Sequence, residues 1–217
     1  IGVAPEADIV CVKLKGAKRY LRDYFYIKDD VPAFQESDIM LAATFLKDYA
    51  QRRNKPLVII SGVGSGSGSR TAGNEAVSRT HFSGYAGIAA DSKTMEINVD
   101  KRGKGFVIEI WAKSLDVLSV SIVSPTGEII PRIPARIGMS SEYAFLLENS
   151  RIYVDYQITE SVAGQEIIFM RFESPAEGVW KVLVYSLTSL PGYFNAWITP
   201  RFLSASDAYF LESDVDI

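Results

Sequence analysis

A single histidine and a single cysteine limit the nucleophilic and metal chemistry open to this chain. Hydrolysis by a serine needs a base within hydrogen-bond reach of the hydroxyl, and His81 is the one imidazole present. It stands beside Phe82 and Ser83, and no serine occupies a recognisable nucleophile setting, so His81 reads as a surface or loop residue. One imidazole and one thiol cannot build a zinc-ligand spacing, and no metal or cofactor is expected. Cys11 lies in the apolar run Ile9-Val10-Cys11-Val12 and reads as a buried strand thiol, with no second cysteine to bridge to. The Gly/Ser stretch from Gly62 to Ser69 follows an apolar run, where phosphate-binding loops occur. It lacks the Gly-Lys-Ser/Thr ending and the G-x-G-x-x-G spacing, and no helical pattern opens after it. Its alternation from Ser65 to Ser69 is the composition of a flexible linker. Lys13, Lys15, Lys18, Arg19 and Arg22 interleave with Tyr20, Tyr24, Phe25 and Tyr26, a nucleic-acid hint in a basic protein. Asp23, Asp29 and Asp30 follow at once, which favours a solvated loop with tucked aromatics.

The elements that would position these residues change character along the chain. Asp8 to Leu14 reads as a β-branched strand entered through Gly2-Val3-Ala4-Pro5. A helix follows, with Ser37 as N-cap, Asp38 in its first turn, and Ile39, Ala42, Ala43, Leu46 and Ala50 on one apolar face. Arg52 and Arg53 suit its last turn, and Asn54 and Pro56 end it. Leu57-Val58-Ile59-Ile60 is a continuous apolar run of the kind a covered parallel strand shows, so this section predicts a β-α-β unit of an α/β sheet. From Lys93 the texture is all-β: Met95-Val99, Phe106-Ala112, Val117-Val123, Arg151-Thr159, Gln165-Glu173, Val179-Leu187 and Tyr193-Thr199. Turn signals at Arg102-Gly103, Ser124 to Gly127, Ala163-Gly164, Ala176 to Gly178 and Pro191-Gly192 separate these runs. The pattern predicts a β-sandwich of jelly-roll type, with Pro131 and Pro134 at edge or loop positions. The expected fold class is therefore mixed, a partial α/β core over residues 1–92 plus an all-β sandwich over 93–203. The acidic residues 204–217 read as a return toward the first unit.

Length and charge narrow the function classes. The chain has 217 residues, 47% hydrophobic and 23% charged, which is enough to bury a core and excludes disorder. A net charge of −3 supplies no positive field for phosphate backbones, so nucleic acid is not an expected partner. No window approaches the ~18 apolar residues of a membrane span, and Ile1 opens without a signal-peptide pattern, as if cut from something longer.

Several segments resemble a known family. Gly2 to Lys13 is similar to the G-V-A-P-x-A segment, with its later V-K, that follows the catalytic histidine region of subtilisin-like serine proteases. Ala72-Gly73-Asn74-Glu75 resembles their A-G-N-E segment. Val31 to Met40 and Asn54 to Ile59 resemble in particular the clostridial, germination-linked branch, the Csp-type subtilases, which carry a jelly-roll insertion after A-G-N-E. The resemblance covers nearly the whole chain. It implies that Asn74 donates its side-chain amide to the oxyanion of a tetrahedral intermediate. It places Gly62, Val63 and Gly64 where the family pairs backbone with substrate as an added strand, and the Lys15 to Glu36 loop where it walls the substrate cleft. It also implies a protein or peptide substrate and a propeptide for the full-length protein, and a bacterial spore or cell-envelope location.

Departures from the family bear on activity. The D-S/T-G, H-G-T and G-T-S-x-A/S-x-P motifs of the triad are absent. Only Gly62 to Thr71 separates Ser61 from Ala72, where a subtilase has a helix and a further strand, so the Gly/Ser tract reads as their replacement, with residues 65–69 as an introduced linker. The chain is expected to be an inactive fragment of a serine endopeptidase. Two other readings are a pseudoprotease acting as a binding or signalling module, and a carbohydrate-binding sandwich. The last needs an exposed Trp and Tyr platform, whereas Trp111, Trp180 and Trp197 lie inside strand runs and read as core. Exposing Leu57, Val58, Ile59 and Ile60 forfeits roughly 1.5 to 3 kcal/mol per side chain against a net stability of about 5 to 15 kcal/mol. Self-association or strand exchange through residues 8–61 is therefore expected.

Overall fold

The computed structural model describes residues 4–61, 79–87, 91–113, 116–158, 164–188 and 190–212. Two helices come first, α1 (Arg19–Tyr24) and α2 (Glu36–Arg52). The strands follow as β1 (His81–Ala86), β2 (Lys93–Lys101), β3 (Gly105–Lys113), β4 (Leu118–Val123), β5 (Ile129–Ile133) and β6 (Ser140–Phe145). They continue with β7 (Ser150–Ile158), β8 (Gln165–Glu173), β9 (Gly178–Ser186), β10 (Gly192–Ile198) and β11 (Asp207–Phe210). Two antiparallel sheets result, one ordered β1-β10-β3-β8-β7-β6 and the other β11-β2-β9-β4-β5. All seven runs foreseen from residue 93 onward are strands. The sheets also take in β1 and β11, which lie outside residues 93–203. Pro131 sits in β5, an edge strand, where its missing N–H breaks no ladder.

Alternation explains why these segments pair as they do. Successive strand side chains point to opposite faces, and in β3 Phe106, Ile108, Ile110 and Ala112 all fall on one side and are buried. Met95, Ile97 and Val99 of β2 and Trp180, Val182 and Val184 of β9 answer them from the opposing sheet, within one apolar interior. At its centre Phe106 stacks on Phe172 with centroids 4.6 Å apart, and Phe172 and Phe145 meet the Trp180 ring edge-on at 5.7 and 5.0 Å. The Trp180 N–H is not stranded there, because it donates to the Ala176 carbonyl at 3.0 Å.

The N-terminal section corrects the expected fold class. The described residues are mostly β, two antiparallel sheets with two helices, and not a mixed structure with a partial α/β subtilase core. Neither Asp8–Leu14 nor Leu57–Ile60 forms a strand. A strand is completed by a hydrogen-bonded neighbour, and a parallel one needs cover on both faces. No described residue supplies either, and Ile60 is 93% exposed. Just before the second run, Lys55 pairs with Asp8 at 2.5 Å, and its hydrogen bond holds the Asp8 carboxyl below its usual range. Cys11, expected to be buried, is accordingly exposed. The helix between the runs forms as expected, with Asp38 and Glu36 in its first turn and Arg52 in its last. Its N-cap is Gln35 and makes no side-chain cap bond, so Ser37 is not the cap.

Two buried carboxylates interrupt the apolar pattern. Burial pushes Glu148 up, but bonds from Ser124 and Thr126 outweigh it and hold the carboxyl below its usual range, so Glu148 clamps the β4–β5 turn in charged form. Glu166 accepts the Leu118 N–H at 3.0 Å, and its second oxygen has no partner among the described residues. Burial, with Asp116 nearby, raises its ionisation from 4.5 to about 7. The folded chain therefore keeps a proton that the unfolded chain releases, so stability falls as pH rises through this window. Between about pH 4.5 and 7 the expected loss is roughly 3 kcal/mol. Urea midpoints measured across that range should decline for the native chain, whereas Glu166→Gln should remove this component of the decline; an equal slope in both would refute the assignment.

Candidate functional site

Asn74, Gly62, Val63 and Gly64, the site residues implied by resemblance, lie outside the described residues, as do Ala72–Glu75 and the 65–69 tract. The described chain resumes at Arg79, whose carbonyl accepts the Phe210 N–H at 3.0 Å, while the Thr80 carbonyl accepts that of Ile198 at 2.9 Å. β1 is an edge of the six-stranded sheet, and the Arg79 bond ties its approach to β11 of the other sheet.

The segment expected to wall a substrate cleft is folded against this sheet. Its ends meet at the Gly16–Phe34 bridge, supported by the Ala17 N–H donating to the Ala33 carbonyl at 2.7 Å. Its middle pairs with the chain before β11, through the Ile27–Ser204 bridge and the Ala205 N–H on the Tyr26 carbonyl at 2.7 Å. Side chains complete the clasp. Tyr26 is buried with Val107 and Phe169, and Phe25 packs beside them. The Tyr24 ring stacks on Phe169 with centroids 6.0 Å apart. The Arg171 guanidinium lies 4.2 Å from the Tyr24 centroid and 4.7 Å from that of Tyr153, a cation held between ring faces. Burial raises the Tyr26 hydroxyl's ionisation more than Arg171 lowers it. Close approach also demands Gly105, because a Cβ there would lie 2.3 Å from the Phe172 carbonyl oxygen and 2.7 Å from the Tyr26 ring. Three of the aromatics foreseen as tucked, Tyr24, Phe25 and Tyr26, thus make the clasp, while Tyr20 faces solvent.

Two concavities flank this segment. One, of about 220 Å³, is lined by Arg22, Asp23, Tyr26, Ile27, Lys104, Glu173 and Ser174. Arg22 is committed there to the carbonyls of Lys28 and Val31. The other, about 300 Å³, runs between Val12–Lys15 and the Asp38, Leu41, Ala42 and Phe45 side of α2. In the first, no hydrogen bond joins the Ser174 hydroxyl to an acid or base among the described residues, and no Ser, Thr or Cys lines the second. No group of three or more His, Cys, Asp and Glu suited to a metal occurs among the described residues, and none of their helices is long and apolar enough to cross a membrane.

His81 is not the loop residue its neighbours suggested. It opens β1, is 3% exposed, and faces the Asn195 carboxamide oxygen through Nε2 at 3.1 Å, with its ring 5.0 Å from that of Trp197. Nδ1 has no partner among the described residues, so no serine is paired to this imidazole there. The tryptophans also depart from expectation. Trp180 is core, but Trp111 and Trp197 are half-buried on the outer face of the six-stranded sheet. Strand parity carried this signal: Trp180 shares its parity with Val182 and Val184, whereas Trp111 is out of step with Ile110 and Ala112, and Trp197 with Ala196 and Ile198.

No protein-family model matches the sequence, and no curated protein is significantly similar to it. Among solved structures, the fold is similar to that in the "Structure of the Clostridium Perfringens CspB protease", with a TM-score of 0.65 and 22% sequence identity. The match covers 87% of this chain and 44% of that one, so the chain spans less than half of the protease's length. At this identity the likeness is one of fold.

The clasp has a measurable consequence. Tyr26→Ala leaves a hole against Val107 and Phe169, for which large-to-small changes cost about 3 to 5 kcal/mol. Because the hole lies outside the main interior, tryptic cutting after Arg19, Arg22 and Lys28 should quicken by at least about tenfold while the sandwich melts near its native temperature. Unchanged cutting would show that the segment is held by something else.

Proposed function

We propose that this chain is part of a subtilisin-like serine endopeptidase of the clostridial germination type, with the β-sandwich as the portion accompanying its catalytic domain. The observation that supports this most is the order of segments. Gly2 to Lys13, Val31 to Met40, Asn54 to Ile59 and Ala72 to Glu75 resemble that family in sequence, and they precede a sandwich whose fold is similar to a CspB protease over 87% of the chain. In this reading Asn74 is the oxyanion donor, and Gly62, Val63 and Gly64 line the substrate strand. The natural substrate is a protein or peptide, and a propeptide accompanies the full-length enzyme. The sequence as it stands carries no D-S/T-G, H-G-T or G-T-S motif, so the chain itself is inactive.

Two measurements test this. The source gene should encode H-G-T before the present Ile1 and G-T-S-x-A-x-P after Ile217; flanks encoding unrelated sequence would overturn the kinship. The purified chain should not cleave a fluorogenic peptide library, and cleavage abolished by a serine-directed phosphonate would contradict the assigned inactivity.

The same reading accounts for the apolar surface of the N-terminal section. Ile9, Val58 and Ile60 are largely exposed, as are Met40, Leu41 and Phe45 of α2, a surface that would lie against the remainder of a catalytic domain. Without that cover the chain should self-associate through residues 8–61. Sedimentation velocity is expected to show concentration-dependent growth that Val58→Lys with Ile60→Lys suppresses. A monomer at every concentration would count against it.

A further inference from the structure

Among the described residues, the outer face of the six-stranded sheet is only partly covered. The clasp of Tyr24, Phe25 and Tyr26 lies over Val107, Phe169 and Arg171. Beyond it, toward the opposite end of β3, the register sets out further rows across β1, β10 and β3. His81 pairs with Trp197, and Trp197 with Glu109; Ser83 pairs with Asn195, and Asn195 with Trp111; Tyr85 pairs with Tyr193. Tyr85 is 65% and Tyr193 37% exposed, and their rings lie 5.0 Å apart at 54°.

Neighbours on the same face hold several of these side chains. Trp111 donates its N–H to Glu109 at 3.0 Å, which occupies the indole nitrogen and one carboxylate oxygen. Tyr193 donates to the Asn195 carboxamide oxygen at 3.3 Å, and the same oxygen faces His81 Nε2 at 3.1 Å. That oxygen is therefore engaged by both neighbours. The Asn195 amide nitrogen remains as a donor that no described residue takes up. The surface thus combines aromatic rings with an amide donor, and the aliphatic residue opposite Trp111 in the register, Ile167, is partly buried against the Tyr26 cluster. Interfaces between proteins centre on a more apolar core, whereas ligand sites pair apolar ring surface with a few placed polar groups. The patch carries one acid, Glu109, already bonded to Trp111, so its chemistry suits an uncharged ligand. From β1 to β3 the rings are spread over two strand spacings, about 10 Å, a span covered by an oligomer and not by a single ring.

We propose that this face binds a neutral oligosaccharide of β-linked, gluco-configured sugars. Equatorial hydroxyls leave the two faces of such a pyranose as flat C–H surfaces, which lie on Tyr85, Tyr193 and the Trp111 edge as apolar bodies do on aromatic rings. The hydroxyls project sideways, where the Asn195 amide donates. The site does not depend on the peptidase reading and uses none of that reading's residues.

Cellohexaose and chitohexaose are the probes, titrated against the intact chain with intrinsic tryptophan emission and saturation-transfer NMR as readouts. At least one is expected to shift the emission and to receive saturation, with a Kd below about 1 mM. Tyr85→Ala and Tyr193→Ala, both at exposed rings, should each weaken binding by about tenfold, a loss of roughly 1.4 kcal/mol. Tyr20→Ala, an exposed ring on α1, should bind as the native chain does. Thermal melts of each variant check that it is folded, and the NMR experiment on the native chain needs no variant. Absence of any response to both sugars up to about 10 mM overturns the proposal, as does binding undiminished in the folded tyrosine variants. Weaker self-association in those variants, with no response to sugar, would make the face a contact between copies and likewise refute it.

Discussion

One apolar interior shared by two antiparallel sheets determines which way every strand residue faces. The side-chain period of two leaves no freedom once a single residue of a strand is fixed inward. Placing Phe106 against Phe172 and Trp180 commits Ile108, Ile110 and Ala112 to the interior and sends Val107, Glu109 and Trp111 outward. The same logic runs through β10, where Phe194, Ala196 and Ile198 are buried and Tyr193, Asn195 and Trp197 are not part of the interior. A slip of one residue in either strand would bury polar groups and expose phenylalanine, so register is strongly specified here.

The N-terminal section obeys a different balance. It has a good helix, yet α2 finds too little surface to cover its apolar residues, and Leu41 and Phe45 stay exposed. Its hold on the sandwich is concentrated at residues 24–28, where aromatic burial, a cation between rings and main-chain bonds to the 203–205 region act together. Tyr26 takes a positive φ of 51° at this point, a conformation uncommon for a bulky residue, which the bonds on both sides of it over-determine. The contrast separates a cooperative unit, the sandwich, from a segment whose stability rests on few contacts.

Much of the sandwich was legible because its strands alternate cleanly and end at Gly and Pro. β8 is found as foreseen from Gln165 to Glu173, and β2, β3, β4, β7, β9 and β10 differ only at their ends. Strands with weak alternation escaped notice. β5 contains Pro131, β6 opens on Ser140 and Ser141 and fully buries only Phe145, and β1 is a short HFSGYA segment with Ser83 and Gly84 at its centre. The α/β expectation failed for a physical reason: Leu57–Ile60 has the composition of a covered strand, but composition cannot supply the neighbour that would cover it. For tryptophan, residence in a strand does not by itself mean burial. Parity, applied residue by residue, separates Trp180 from Trp111 and Trp197.

Parity also ties the two uses of the outer face to each other. Val107 under the clasp and Trp111 on the open rows belong to the same strand, about 13 Å apart along it. Both owe their outward direction to the intervening Ile108 and Ile110 being locked inward. The N-terminal segment can therefore be anchored at one end of β3 without displacing the aromatic rows at the other, since the strand between them is held by the interior and not by either surface. Anything that loosened the interior would disturb both together, whereas loss of the clasp would leave Tyr85, Tyr193 and Trp111 where the register puts them. The open rows are in that sense a property of the sandwich alone.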